Sequence, residues 1–217
     1  DFESSEIAVT IYAESFITSE VVRSGLSLLP FLIIGFIIMV CFSATSFCIS
    51  ALALNQMGCH KMWLALYACA TPFMACGVGM GGMLFVGMRF GTILCVTPFL
   101  ILAIGVDDAY LMVNAWQQIT LARRREDLRG ASVEGELTYR TKEMLIETGP
   151  SIAITTITNV AAFAISAISG APEIQLFSIG NAVCVLASFI FQLTVYGSLM
   201  VILGRREIKE EFDAHPQ

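Results

Sequence analysis

Two adjacent acidic residues, Asp107 and Asp108, stand in the middle of a long apolar stretch of the chain. One aspartate at the centre of a membrane helix costs about 2.5–3.5 kcal/mol, so two are tolerated only beside a polar cavity, a partner or a proton. Burial and the neighbouring like charge both favour protonation, so the pair is expected to titrate as a coupled unit. These properties predict a proton or cation relay. The alternative is a pair of hydrogen-bonded acids that only ties helices together.

Other polar side chains in the apolar stretches indicate the same region. Asn114 lies two turns after Asp107 on the same helix face, and Asn159 stands among threonines in the following apolar stretch. Together with the acids, these asparagines predict a polar seam between helices. Taken singly, either asparagine could equally be a hydrogen-bonding contact between two helices.

Proline and glycine residues predict where the helices bend or approach closely. Pro98 and Gly105 precede the acids in the same stretch. A proline removes a backbone donor and can kink a helix, which would give the acids room and water; ordinary tolerance of proline in membrane helices is the alternative. In the preceding stretch, Gly77 and Gly81 form a GxxxG pattern, which is typical of close helix packing. A groove for a flat lipid such as a sterol is the alternative there.

The composition argues against several classes of protein. Hydrophobic residues make up 56% of the chain and charged residues only 14%, whereas soluble domains carry about 25% charged residues. The net charge of −6 gives no indication of a nucleic-acid partner, and 7 cysteines at irregular spacing do not form a disulfide pattern. No nucleophile–base pair, phosphate loop or metal-ligand cluster is apparent, so neither an enzyme nor a cofactor or metal site is expected.

Five apolar stretches are long enough to cross a bilayer, which takes about 20 residues, so the sequence predicts an all-α polytopic bundle of five transmembrane helices over 25–204. The spans are predicted at about 25–54, 62–87, 90–118, 150–170 and 174–203. Residues 1–24 are predicted to end an extracellular or luminal domain with a short helix, and 205–217 to form a cytoplasmic tail. The cytoplasmic loop 119–149 contains a candidate helix N-cap, Ser132, and is predicted to carry an amphipathic helix at the interface.

The distribution of basic residues predicts the orientation of these spans. Of the 12 Lys and Arg residues, all but Arg23 and Arg89 follow the first, third or fifth apolar stretch, and basic residues are concentrated in cytoplasmic loops. The N-terminus is therefore expected outside the cell or in a lumen, and the C-terminus in the cytoplasm. An odd number of spans beside an incomplete outer domain predicts that the chain is part of a larger protein.

The residues around the acidic pair resemble the Patched family. The resemblance is carried by Gly105-Val106-Asp107-Asp108 with its flanks 98–100 and 109–111, by 149–152 and 156–163, and by 171–177 and 192–194, where the Patched-related and Patched-domain-containing branch is most similar. One departure is Ala103, which stands where many relatives have a glycine four residues before the first acid. The resemblance implies a sterol-sensing domain, which is spans two to six of a twelve-span protein. It also implies half of the membrane domain of a resistance–nodulation–division transporter.

The same resemblance implies that Asp107 and Asp108 couple a proton or cation gradient to the movement of a sterol or similar lipid. The expected partners are that lipid, the coupling ion, the bilayer and the remainder of the parent chain, namely a first span, outer domains and a second half. The alternative is a sterol sensor that does not transport and regulates a signalling or trafficking partner. A third interpretation is a scaffold that docks a partner through residues 122–149. The plasma membrane is the expected location, with an endosomal membrane as the alternative.

Overall fold

Long α-helices follow the apolar stretches of the sequence in the computed structural model. The structure describes residues 59–88, 91–124 and 132–214, together with 23, 27, 30, 31, 33–42 and 44–46. The predicted end of an outer domain at 1–24 lies outside the described residues apart from Arg23. No strand occurs among the residues that are described.

The helices are α1 (Ile33–Ser46), α2 (Cys59–Phe85), α3 (Thr97–Arg124), α4 (Val133–Ser166), α5 (Pro172–Phe191) and α6 (Gly197–Ala214). A 3-10 turn, Thr92–Val96, leads into α3, and a π-helical turn, Gln192–Tyr196, joins α5 to α6. In the described part of the chain, four helical segments are long and apolar enough to cross a membrane: Leu66–Phe85, Ile93–Arg123, Val133–Ser166 and Pro172–Glu210. The shorter α1 falls within the first predicted span. The prediction of an all-α polytopic bundle is therefore confirmed.

Local chemistry explains where these helices begin and end. The Ser132 hydroxyl accepts a hydrogen bond from the backbone N–H of Gly135 at 3.1 Å, as an N-cap does. Gly87 follows α2 with a φ of 89°, a left-handed conformation that glycine adopts without a steric cost. Pro172 opens α5 at the first helical position, where a missing N–H costs nothing.

Two helices are longer than the sequence alone predicts. The N-cap at Ser132 is where we expected it, but the helix that it begins runs without interruption through Pro150 to Ser166. At 34 residues, α4 is about 51 Å long, which exceeds the roughly 30 Å of a bilayer core. Its first turns therefore extend beyond the apolar layer. The last predicted span continues in the same way, through the π-helical turn into α6.

The helices pack around α3. Toward the C-terminal end of α3, Met112 and Trp116 are buried against α2, α4 and α6. Toward its N-terminal end, Ile101 packs with Cys76 of α2 and Cys184 of α5. On a third side, Leu102 and Val106 pack with Cys69 of α2 and with half-buried side chains of α1. Helix α3 therefore contacts each of the other helices, and residues on most of its circumference are placed by its neighbours.

Candidate ion site on the central helix

Asp107 and Asp108 lie in the same helix but have different surroundings. Asp108 is buried, with 6% of its surface exposed, whereas Asp107 is exposed. The difference follows from helix geometry, because adjacent residues point about 100° apart. One carboxyl group therefore faces the interior of the bundle and the other faces away from it.

The surroundings of Asp108 are set by the residues one turn before and after it. Gly105 and Met112 lie three residues before and four residues after Asp108, so the three share one stripe of α3. A Cβ atom at Gly105 would lie 2.5 Å from Pro72 Cβ and 3.2 Å from Ser188 Oγ. At the other end, Gln192 Nε2 donates toward Met112 Sδ at 3.9 Å. The stripe that carries Asp108 therefore faces α5 between Ser188 and Gln192.

Polar residues of α5 and the π-helical turn are fully enclosed on this side. Ser188 is 4% exposed, and Gln192 and Tyr196 are 0% exposed. Within the described residues, no hydrogen-bond partner is found for Ser188 Oγ, Gln192 Oε1 or the Tyr196 hydroxyl. Buried polar atoms are nearly always hydrogen-bonded to protein or ordered water, so these oxygens, like those of Thr97 and Ser178 elsewhere in the bundle, are expected to bind water or a further group. Thr156 of α4 is also buried, with 5% exposure.

The predicted polar seam is only partly assembled by this chain. Asn114 is half-buried on the side of α3 that also carries the exposed Asp107. Asn159 is half-buried on α4. Asn181, by contrast, is buried and donates to the backbone oxygen of Phe177 in its own helix at 2.8 Å. Ser188 Oγ and the Gln192 amide instead contact the stripe that carries Asp108, while Asn114 shares the outer side of α3 with Asp107.

The proline and glycine residues singled out in the sequence have distinct positions. Pro98 lies in the first turn of α3, where the 3-10 turn passes into the α-helix. Gly105 lies in an unbroken part of α3, where it leaves space for Pro72. A Cβ atom at Gly77 or Gly81 would meet no described atom within 4 Å. The glycine of α2 that lies in close contact with α5 is instead Gly79, where a Cβ atom would lie 2.8 Å from Cys184 Sγ.

A second group of charges, of which Glu136 and Arg140 are buried and Arg123 is half-buried, lies at one end of the bundle, which we call the charged end (Arg123, Glu136 and Arg140). Glu136 accepts from Arg123 Nη2 at 2.8 Å and from Arg140 Nε at 2.8 Å. Arg140 is 0% exposed and also donates to Thr120 Oγ1 at 3.3 Å. These contacts join the C-terminal end of α3 to the N-terminal end of α4, so they fix how the two helices meet.

Sequence reasoning missed the site roles of Glu136, Arg140, Ser188 and Tyr196, although signals for them exist. Glu136 and Arg140 are four residues apart, a spacing that predicts an ion pair on a helix. Ser188, Gln192 and Tyr196 recur at intervals of four in an otherwise apolar stretch, which predicts one polar face. The π-helical turn has no comparable signature in the sequence.

Among the described residues, no group of three or more His, Cys, Asp or Glu side chains could hold a metal ion. What the arrangement around Asp108 can do chemically is accept and release a proton, or contribute one carboxylate to a cation site completed by other groups.

Comparison with known proteins identifies the family. A family profile described as Patched SSD matches residues 35–202, which includes α2, α3, α4 and α5 in full. The chain is similar to NPC intracellular cholesterol transporter 1 homolog 1b of Drosophila melanogaster, with 26% identity over 98% of this chain and 16% of that protein. It is similar to Patched-related protein 9 of Caenorhabditis elegans, with 24% identity over 88% of this chain and 21% of that protein.

A human relative extends the comparison. Protein patched homolog 2 of Homo sapiens is 30% identical over 74% of this chain and 14% of its own length. The chain thus spans about a fifth or less of the length of these relatives. The matched region contains the acidic pair, the polar face of α5 and the long α4. The chain therefore belongs to the Patched family, and it comprises the Patched SSD of a multi-pass membrane protein.

Proposed function

We propose that the chain is the ion-coupled half of a membrane protein that moves a sterol or similar lipid. Asp107 and Asp108 bind and release the coupling proton or cation. The observation that carries this proposal is the burial of Asp108 in an apolar helix opposite polar side chains of α5. An acid is tolerated in a membrane interior where it has a partner, water or a proton. The similarity to NPC intracellular cholesterol transporter 1 homolog 1b of Drosophila melanogaster supports the class of substrate.

The exposed Asp107 supports the same proposal in a different way. A carboxyl group that faced lipid hydrocarbon would be costly, so this side of α3 is expected to meet the remainder of the parent chain. Both carboxyl groups would then lie inside the complete protein, one facing α5 and the other facing the second half. The coupling ion would be exchanged between these two environments. The proposed location is the plasma membrane, with the N-terminal side outside the cell.

The test is lipid movement by the full-length parent protein in liposomes. A fluorescent sterol would be followed from donor to acceptor membranes under a proton gradient, a sodium gradient or neither. The Asp107→Asn, Asp108→Asn double variant is expected to lose gradient-dependent movement by at least a factor of about ten. Its folding is checked by size-exclusion chromatography and thermal unfolding.

A matched control separates this loss from a general effect of removing acidic residues. Glu143 and Glu147 are exposed on α4, and the Glu143→Gln, Glu147→Gln double variant makes the same chemical change there. It is expected to move sterol at the parental rate. Parental gradient-dependent movement by the double aspartate variant would refute the relay.

A sterol sensor that does not transport is the second candidate function, and the surface of α2 favours it. Gly77 and Gly81 are exposed, with no described atom within 4 Å of a Cβ at either position. Their apolar neighbours Val78 and Leu84 are exposed as well. A flat lipid could lie against this strip of small residues. In that case a signalling or trafficking partner would respond to sterol without any gradient.

Photoreactive sterol separates the sensor from the transporter. Saturable labelling at α2 that is reduced by Gly77→Leu and Gly81→Leu, with no gradient dependence of any activity, would support the sensor. Gly149→Leu on α4 is the control, because a Cβ there also meets no described atom within 4 Å. Equal labelling of the α2 variants and this control would exclude the groove. Neither function makes the chain an enzyme.

A further inference from the structure

We propose that Ser188, Gln192 and Tyr196 line a water-filled proton path that leads to Asp108 along the interface of α3 with α5. This inference rests on the relay proposed above and names the route by which that relay is loaded. It also selects the proton over a metal cation as the species that this chain delivers to Asp108.

The three polar residues are regularly spaced. They recur at intervals of four along α5 and the π-helical turn, which keeps them on one face. Two contacts fix that face: Ser188 Oγ lies beside Gly105, and Gln192 Nε2 lies 3.9 Å from Met112 Sδ. Asp108 is on the α3 stripe between these contacts. The column of Ser188, Gln192 and Tyr196 therefore passes Asp108 and continues toward the charged end.

The spacing of Ser188, Gln192 and Tyr196 along the helix argues against a single ion-binding site made of all three residues. Eight residues separate Ser188 from Tyr196, which corresponds to about 12 Å along a helix. The ligands of one cation converge on a single point at about 2.0–2.6 Å. Side chains that leave the backbone at points spread over such a length are better placed to hold separate waters in a chain.

The oxygen atoms of these three residues also have unused hydrogen-bonding capacity. Within the described chain, Ser188 Oγ, Gln192 Oε1 and the Tyr196 hydroxyl are buried and have no hydrogen-bond partner. Buried waters form about 2–4 hydrogen bonds with polar groups of this kind. Hydroxyl groups both donate and accept, and the amide of Gln192 offers both functions at its two ends. A water chain along these groups would satisfy each of them and could pass a proton in either direction.

The π-helical turn supports a functional role for this segment. Turns of this kind are rare and occur frequently at functional sites inside α-helices. The turn Gln192–Tyr196 contains two of the three polar residues. Gly197 follows the turn directly, and a Cβ there would lie 3.9 Å from Met112 Cε. Helix α3 therefore remains in contact with the chain at the end of the π-helical turn.

Among the titratable groups near the path, Asp108 is the one at which the path ends. On α3 the neighbouring acid, Asp107, is exposed on the other side. The buried titratable groups facing α3 from α2 and α5 are thiols, Cys69, Cys76 and Cys184, and Tyr196 contributes a phenol. Thiols and phenols ionise only in alkaline solution.

Helices α4 and α6 place their charges elsewhere. In α4, the buried residues from 148 onward are Thr148, Ile152 and Thr156, and its buried charged residues, Glu136 and Arg140, lie at the charged end. In α6, Glu207 accepts a hydrogen bond from Trp116 Nε1 at 3.2 Å, two turns beyond Asp108. Asp108 is thus the buried carboxyl group beside these three polar residues.

The test uses full-length parent protein in liposomes that contain a pH-sensitive dye. The initial rates of sterol movement and of lumenal pH change are measured under a proton gradient at several outer pH values. Tyr196→Phe removes one oxygen and keeps the ring, and Gln192→Leu replaces the amide with an apolar side chain of similar size. Thr194→Val is the control, because Thr194 is exposed on the same turn and bonds to the Ile190 backbone oxygen at 2.6 Å. Asp108→Asn serves as the reference for loss of the relay.

Both rates are expected to fall by about fivefold or more in Tyr196→Phe and Gln192→Leu, with Thr194→Val unchanged. The decrease in both rates relative to the parent should become larger as the outer pH rises, because protons then arrive more slowly. A defect in packing would lower the rates equally at every pH. Equilibrium binding of sterol should stay at the parental value. If Asp108→Asn abolishes movement while the two path variants behave like Thr194→Val, the path is wrong and the relay stands. If Asp108→Asn moves sterol normally, the relay and the path both fail.

Discussion

At the scale of single residues, the two adjacent aspartates are not equivalent. Asp108 is enclosed by the bundle and Asp107 is not, although nothing in their sequence positions distinguishes them. The difference arises because α3 has neighbours on most of its circumference but not on all of it. A single substitution at each position therefore tests a different environment, and the double variant alone would not separate them.

Gly105 offers a prediction about packing beside Asp108. In Gly105→Ala, the new methyl group would lie 2.5 Å from Pro72 Cβ, and Pro72 is part of a rigid ring within α2. Overpacking of this kind costs about 1–3 kcal/mol. We expect a lower midpoint of thermal unfolding for the parent protein in detergent.

The matched control for this prediction is Gly77→Ala, because the same methyl group there meets no described atom within 4 Å. This variant should unfold at the parental temperature or slightly above it, since alanine favours helix over glycine. Equal midpoints for the two variants would show that α2 and α3 do not approach each other at Gly105.

Glu136 offers a prediction about buried charge. In Glu136→Gln, Arg123 and Arg140 lose the carboxylate that contacts both of them, and Arg140 remains buried. Removing one partner of a buried ion pair costs about 3–5 kcal/mol. The comparison is Glu134→Gln, which breaks the exposed pair with Arg205 and should cost about 0–1 kcal/mol. Chemical unfolding of both variants measures the difference, and similar losses would contradict the enclosed position of Glu136.

At the scale of elements, α4 was predicted in two pieces and is one helix. The sequence gives clear signals at its start, where Ser132 caps the helix and Glu134 and Glu136 occupy the first turn. Gly149 and Pro150 equally clearly predict that the helix is interrupted between its two halves. The helix continues because neighbouring helices pack along both halves, through Met144 on one side of the proline and Ile152 on the other. Tertiary packing of this kind cannot be derived from local residue preferences.

The cap of α4 gives a prediction at this scale. Ser132→Ala removes the hydroxyl that accepts the Gly135 N–H and should cost about 1 kcal/mol. The effect is local, so hydrogen exchange at residues 133–136 should become faster while exchange in α3 stays unchanged. Ser151→Ala, at an exposed position within the same helix, is the control and should alter neither. Unchanged exchange in the Ser132 variant would mean that α4 is not capped there.

Sequence reasoning predicts the apolar elements well and the details of the site less well. The spans and the acidic pair follow from long apolar runs and from the two charges within one of them. The burial of Asp108 but not Asp107 depends on which helices surround α3, and sequence alone does not supply that. The GxxxG pattern likewise names Gly77 and Gly81, while the contact falls on Gly79 because α5 crosses α2 at that position.

At the scale of the whole molecule, two exposed surfaces of the bundle differ in polarity. The outer side of α4 presents Ile154, Ile157 and Ile165, all of them exposed, as expected for a surface in contact with lipid. The outer side of α3 instead combines Asp107 and the half-buried Asn114 with the exposed Leu111. An acid and an amide on a lipid-facing surface would be costly, so this side of α3 is expected to be covered by the second half of the parent protein.

Photo-crosslinking in the full-length parent tests that difference directly. With benzoylphenylalanine in place of Leu111, on the side of α3 that carries Asp107, the crosslinks should join this chain to peptides of the second half. With the same residue in place of Ile157, which is 67% exposed on α4, the crosslinks should be to lipid, because the exposed Thr158 hydroxyl on that surface already bonds to the Ile154 backbone oxygen. Mass spectrometry distinguishes the two products. Lipid adducts alone at position 111 would leave Asp107 in contact with the bilayer, and the carboxyl pair would then have to work with Asp108 as its only enclosed member.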